Sequence, residues 1–232
     1  MAISGSGRRQ TAIAAHRGGA GLWAENSMKA FRNAIRMQVE FIEFDVHRTR
    51  DGVLVVHHDP VLGRTVEGKG AIWAMDWEQL KTVRLKGAPD ERIPLLEEVL
   101  DVFRNSAIGP RLELKNDAMG SRYRGMEKQV IAMLRDFDLF DRTVFTSFDC
   151  DCLMAAKEAG ADRLLWLLKK EAYQQLHDYP DAFIQETFSR GIGEIAYAGS
   201  EISPGLIDVC LKKKRLAALR MPPAEARTER ML

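Results

Sequence analysis

Short apolar runs and helix-patterned stretches take turns along this chain almost from end to end, and that alternation limits what it can fold into. Strand candidates lie at residues 12–15, 41–46, 111–115, 143–147, 163–168, 194–197 and 216–220. Helical patterns fill 27–37, 94–104, 122–137, 149–159, 171–178 with 182–190, and 204–214. Pro94 and Pro204 fall where a first helical turn tolerates proline. Strand and helix in alternation imply parallel strands joined by crossovers, an α/β fold. One stretch breaks the rhythm: residues 59–93, with Gly63, Gly68, Gly70 and Gly87, read as an irregular insertion. The expected organisation is a single domain over 1–232 with an inserted subdomain at about 59–93.

The run Phe41 to Pro60, FIEFDVHRTRDGVLVVHHDP, carries the chemistry. Glu43 and Asp45 are two residues apart in a strand pattern, so both carboxylates project to one side, where like charges repel unless a cation joins them. Asp51-Gly52 signals a two-residue hairpin turn. That turn would set Arg50 opposite Val53 and Asp45 opposite His58, with facing side chains roughly 5 Å apart. His57 would face Val46 on the other side. The geometry therefore nominates His58 as the histidine that partners the acids.

Composition narrows the partners. A hydrophobic content of 46% with 29% charged residues is that of a globular chain, and a net charge of +1 offers no field to attract nucleic acid or an anionic membrane. No apolar run approaches the roughly 18 residues that a membrane span needs. Residues 11–15 are too short for the apolar core of a signal peptide, so a cytoplasmic location is expected. Three cysteines, Cys150, Cys152 and Cys210, match neither a disulfide framework nor a zinc site and read as reduced structural thiols.

Polar groups recur at strand ends. His16 and Arg17 close AIAAHRGG, Glu43 and Asp45 close the second strand, and Glu113 and Lys115 share one face of RLELK. Parallel α/β folds bind ligands at the carboxyl ends of their strands. Glu43, Asp45 and Glu113 are hard oxygen ligands with no cysteine nearby, which favours Mg²⁺ or Ca²⁺ over Zn²⁺. His16 and His58 remain to move protons, and Arg17 and Lys115 supply positive charge for an anion. Together these describe a site for cleaving a phosphate ester.

The residues that carry this chemistry resemble a known family, the glycerophosphodiester phosphodiesterases. The matching features are H-R-G at His16 to Gly18, Glu25-Asn26, the E-x-D of Glu43 and Asp45, His58-Asp59, IPLLEEVL from Ile93 to Leu100, the E-x-K of Glu113 and Lys115, and TSFD from Thr146 to Asp149. The resemblance implies a TIM barrel with a small insertion after the second strand. It implies one divalent cation on Glu43, Asp45 and Glu113, an acid and base pair in His16 and His58, and phosphate contacts from Arg17 and Lys115. It further implies hydrolysis of small glycerophosphodiesters to an alcohol and glycerol 3-phosphate. Two departures stand against it: LAALRMPP lacks the family's late tryptophan, and the family's eighth strand has no counterpart. Seven parallel strands leave two unpaired edges, so the barrel is expected to be incomplete at its C-terminal side: either it is open, or another segment or a second subunit in a homo-oligomer covers the gap, or the chain is a truncated product.

The remaining candidates divide. His57 reads as a structural or solvent-facing residue and His47 as an exposed hairpin residue. Asp59 reads as the start of a turn with Pro60. Glu25 is either a capping acid or a support for metal or histidine, and Trp166 faces either the barrel interior or the substrate mouth. A sphingomyelinase D-like lipase and a silent barrel acting as a binding module are the competing functions.

Overall fold

The computed structural model describes residues 12–197 together with the strands Leu216–Leu219 and Glu229–Met231. In chain order the elements are β1 (Ile13–Ala15), α1 (Met28–Ala34), β2 (Phe41–Arg48), β3 (Leu54–Val56), α2 (Trp77–Leu80), β4 (Arg84–Leu85), β5 (Ala88–Arg92), α3 (Leu96–Phe103), β6 (Gly109–Leu114), α4 (Met126–Asp136), β7 (Val144–Ser147), α5 (Cys150–Glu158), β8 (Leu164–Leu168), α6 (Lys170–Asp178), α7 (Pro180–Ser189), β9 (Glu194–Tyr197), β10 (Leu216–Leu219) and β11 (Glu229–Met231). The helix expected over 204–214, and Cys210 within it, lie outside the described residues.

Parallel pairing runs from β1 through β2, β6, β7, β8 and β9 to β10, as the alternation of strand and helix requires. These are seven parallel staves of a TIM-type barrel, and the described residues hold no eighth βα unit. The eighth place is taken by β11, which runs antiparallel to both β10 and β1. Of the expected alternatives, the described strands show a segment of the same chain paired to both edges.

Strand periodicity sorts the side chains. Ile42, Phe44 and Val46 of β2 point outward into a large apolar layer with Phe31 of α1, Phe103 of α3 and Val130 of α4. Ser27 caps α1, its hydroxyl accepting from Ala30 N–H at 3.0 Å, which is worth about 1 kcal/mol to that helix. The alternate residues Phe41, Glu43, Asp45 and His47 face the barrel lumen. There Phe41 packs with Val144, Leu165, Leu167 and Ala196 to form an apolar floor. Beside that floor lies a buried ion pair, Arg111 to Glu194 at 2.5 Å. Trp166 belongs to neither of its expected places: it lies on the outer face of β8 and stacks on Phe183 of α7, with centroids 5.5 Å apart.

The stretch read as irregular is organised. It holds α2 and the β4–β5 hairpin around its own cluster of Leu62, Val66, Ile72, Leu80, Leu85 and Ile93, joined by Val55 of β3. The short turns hide this order from sequence periodicity, because no element there exceeds five residues.

The β2–β3 hairpin departs from the expected register by one residue. Val46 pairs with Val56 and His47 with Val55, which sets Asp45 opposite His57 rather than His58. The loop has three residues, Arg50 to Gly52, because Thr49 N–H donates to Val53 O at 3.0 Å and Thr49 Oγ1 accepts from Val53 N–H at 2.8 Å. Arg50 is drawn into the loop by the insertion, its N–H donating to Met75 O at 2.9 Å, and Gly52 takes φ 88° to close it.

Candidate functional site

At the end of β1 the chain turns sharply through Arg17 (φ 51°), Gly18 (φ 74°) and Gly19 (φ 99°). Left-handed backbone costs a non-glycine residue of order 1 kcal/mol or more. Here the Arg17 N–H is aimed at Glu43 Oε2, 2.9 Å away, a charge-assisted bond that offsets the strain. Gly18 is required by space as well as torsion, since a Cβ there would sit 3.0 Å from both Ala30 Cβ and Phe31 Cδ1. The turn leaves His16 Nε2 3.8 Å from Glu43 Oε2.

The parallel register of β2 and β6 places Asp45 directly beside Glu113. Glu43, Asp45 and Glu113 are all buried, and each offers an oxygen within 4.8 Å of the others. Lys115 Nζ lies 2.7 Å from Glu113 Oε1 and 3.4 Å from Asp45 Oδ1. Arg17 Nε approaches Asp45 Oδ2 at 3.7 Å, and Asn26 Nδ2 donates to the same oxygen at 2.8 Å. Burial pushes the Asp45 carboxyl up, but Lys115, His58, Arg17 and the Asn26 hydrogen bond outweigh it and hold the group below the usual carboxylate range. Burial lowers Lys115, yet Glu113 and Asp45 more than reverse this, so its ammonium stays charged.

A divalent cation fits this chemistry. The donors are hard oxygens converging from two adjacent staves, and Asp45 Oδ1 is buried without a hydrogen bond, open to a further ligand. Three buried carboxylates with Lys115 and Arg17 as their neighbouring cations leave room for added positive charge.

His58 lies within the electrostatic reach of Asp45 although the ladder does not pair them. β3 ends at Val56, and the His57 N–H that follows it still donates to Asp45 O at 3.0 Å. Burial lowers the His58 pKa, opposed by Asp45, and its Nδ1 sits 2.6 Å from Asp59 Oδ1. Asp59 is therefore more than the first residue of a turn: burial raises its pKa, but bonds to Arg64 and His58 bring it down to about 2. His57 is buried, its Nε2 without a hydrogen bond, and burial pushes its pKa down to about 4.

His47 overturns its expected place on the surface. It is fully buried, with Nδ1 3.0 Å from the Tyr123 hydroxyl and Nε2 3.2 Å from His58 O. A carbonyl can only accept, so Nε2 carries the proton and Nδ1 accepts from Tyr123. Burial of its ring lowers the pKa to about 3, so the imidazole is neutral. Glu25 does not cap a helix: its Oε1 lies 2.9 Å from Arg17 Nη1 and 2.5 Å from Arg64 Nη2. Asn26, Arg64 and Tyr123 escape sequence reasoning about the site. Only Asn26 left a signal, through the Glu25-Asn26 pair in the family pattern.

Residues 16–201 match the family model described as the glycerophosphoryl diester phosphodiesterase family. The Bacillus subtilis (strain 168) protein YqiK is 33% identical over 219 residues, which cover 92% of this chain and 85% of that protein. A glycerophosphodiester phosphodiesterase from Bacillus altitudinis is 40% identical over 144 residues, covering 60% of this chain and 58% of its own length. Among solved structures, one from Agrobacterium tumefaciens str. C58, assigned as a glycerophosphoryl diester phosphodiesterase, superposes with a TM-score of 0.85 at 31% identity, over 91% of this chain and 85% of that one. An Oleispira antarctica phosphodiesterase solved with the product sn-glycerol-3-phosphate shares the fold, with a TM-score of 0.71 at 22% identity over 89% of this chain and 82% of its own. Agreement over so much of the chain, in sequence and in backbone, makes it a member of the glycerophosphoryl diester phosphodiesterase family and so of the phosphoric diester hydrolases.

Proposed function

We propose that this protein hydrolyses glycerophosphodiesters to an alcohol and glycerol 3-phosphate, using a divalent cation, Mg²⁺ or Ca²⁺, held by Glu43, Asp45 and Glu113. The observation that carries this is the convergence of those three buried acids within 4.8 Å, flanked by histidines and cations from three strand ends. When bound, the ion would offset the charge on the phosphate oxygens. Arg17 and Lys115 contact the phosphate and orient it.

His16 and His58 form the acid and base pair. Water adds to phosphorus as one imidazole takes its proton, the bond from phosphorus to the alcohol oxygen breaks, and the other imidazole protonates the leaving alkoxide. The Asp59 bond holds the His58 proton on Nδ1 and leaves Nε2 to exchange one with substrate or water. The product complex of the Oleispira neighbour supports a small glycerophosphate as the bound moiety. No helix of the described residues is long and apolar enough to cross a membrane.

The test is release of glycerol 3-phosphate from a panel of diesters, including glycerophosphocholine and glycerophosphoethanolamine, with Mg²⁺ or Ca²⁺ and with chelator. Ion-dependent release is the expected result, and none across the panel favours a silent barrel. His58→Ala should lower turnover at least about 10²-fold, the scale of lost acid or base work. His57→Ala should do much less, and equal losses would reject the assignment of roles.

A further inference from the structure

Arg64 comes from the inserted stretch, and none of the chemistry above uses it. Its guanidinium forks onto two carboxylates at once. On one side Nε and Nη2 lie 2.6 and 3.1 Å from Asp59 Oδ2 and Oδ1; on the other, Nη2 and Nη1 lie 2.5 and 3.1 Å from Glu25 Oε1 and Oε2. Each carboxylate in turn holds a site residue, Asp59 at 2.6 Å from His58 Nδ1 and Glu25 at 2.9 Å from Arg17 Nη1. One guanidinium thus links the imidazole that moves protons to the guanidinium that binds phosphate.

Stability does not account for this arrangement. The Arg64 side chain is 48% exposed, and exposed ion pairs contribute little. What a planar fork supplies is geometry, because two parallel bonds to each carboxylate fix its plane. The fork also has a rigid base. Leu62 and Val66, on either side, are buried in the insertion's own cluster, Leu62 N–H donates to Gly70 O at 2.8 Å, and Lys86 Nζ donates to Gly63 O.

We propose that Arg64 is a positioning residue for the hydrolysis, holding Asp59 against His58 and Glu25 against Arg17, so that the inserted subdomain sets the alignment of the catalytic groups. This rests on the roles of His58 and Arg17 proposed above. Without the fork, Asp59 is free to turn from His58 Nδ1 and Glu25 from Arg17. Misplacement of this kind by about 1 Å can cost on the order of 10² in rate.

The experiment measures kcat and KM with glycerophosphocholine for wild type, Arg64→Ala, Asp59→Asn, the double variant and Arg50→Ala. Arg50 pairs with Asp76 at 2.5 Å away from these contacts, so its loss should leave kcat unchanged. Arg64→Ala should lower kcat by about 10- to 100-fold, with a smaller change in KM. Adding Asp59→Asn should cost less than the product of the two single losses, because the changes share the Asp59 contact. Guanidinium ion should restore part of the Arg64→Ala rate and less in the double variant, where only Glu25 is left for it to hold. Wild-type kcat in Arg64→Ala, fully multiplicative losses in the double variant, or no rescue at an unchanged Tm would each overturn the proposal. Should Arg64→Ala not fold, Arg64→Lys, which keeps the charge and loses the fork, should fold with a lowered kcat, and a wild-type kcat in it would overturn the proposal. An inactive wild type overturns the hydrolase reading and this one with it, whereas an active wild type indifferent to Arg64 overturns this one alone.

Discussion

Asp45 and Glu113 are lateral neighbours on two parallel strands, and the ammonium of Lys115 lies 3.4 and 2.7 Å from their respective carboxylates. One lysine bridging two buried acids, with a third acid beside them, is an arrangement that an added cation would relieve.

Metal binding should therefore register as stability. At free ion about 100-fold above Kd, linkage is worth about 2.7 kcal/mol, so Tm should rise with Mg²⁺ or Ca²⁺ and fall back with chelator. In Glu113→Gln the rise should shrink or vanish. Thermal unfolding of both proteins across an ion titration checks this, and an equal rise in the variant would remove Glu113 from the ligand set.

Tyr123→Phe should destabilise the protein by about 1 to 3 kcal/mol, the cost of leaving a buried acceptor unsatisfied, here His47 Nδ1. Urea denaturation measures the difference. Because His47 Nε2 donates to His58 O, a smaller drop in kcat should accompany it.

Asp59 gives a pH signature. Its folded pKa of about 2 lies below its ordinary value of 3.8, so its contribution to stability is fully present above 3.8 and is lost as pH falls toward 2. The Tm gap between wild type and Asp59→Asn should accordingly be constant at neutral pH, narrow below about 4 and close near 2. A gap that widens on acidification would contradict the pairing with Arg64 and His58.

Gly18→Ala combines an unfavourable torsion with a close approach to Ala30 and Phe31. Strain of about 1 to 3 kcal/mol is expected, together with reduced turnover as His16 and Arg17 shift. Parallel Tm and kcat measurements should move together; a variant of wild-type stability would show that the turn can relax.

The seven parallel strands were legible because each is an apolar run bounded by helical pattern, and β9 coincides with its expected limits at Glu194 and Tyr197. The acids were legible through alternation, since Glu43 and Asp45 must share a face. The partner of Asp45 across the hairpin was not. Asp51-Gly52 reads as a two-residue turn, and the third residue comes with the bonds between Thr49 and Val53 and with the Arg50 N–H donating to Met75 O of a distant segment. His47 looked exposed for the same reason: the residue that covers it, Tyr123, lies 76 positions away. Arg64 has no periodicity to betray it, because its meaning comes from two carboxylates on separate loops.

The reversed direction of β11 has a consequence for the mouth of the molecule. In a full ring each stave delivers its carboxyl end, and the loop after it, to the catalytic rim. This one delivers its amino end there instead, so among the described strands seven carboxyl ends meet at the rim and the reversed stave serves to complete the wall.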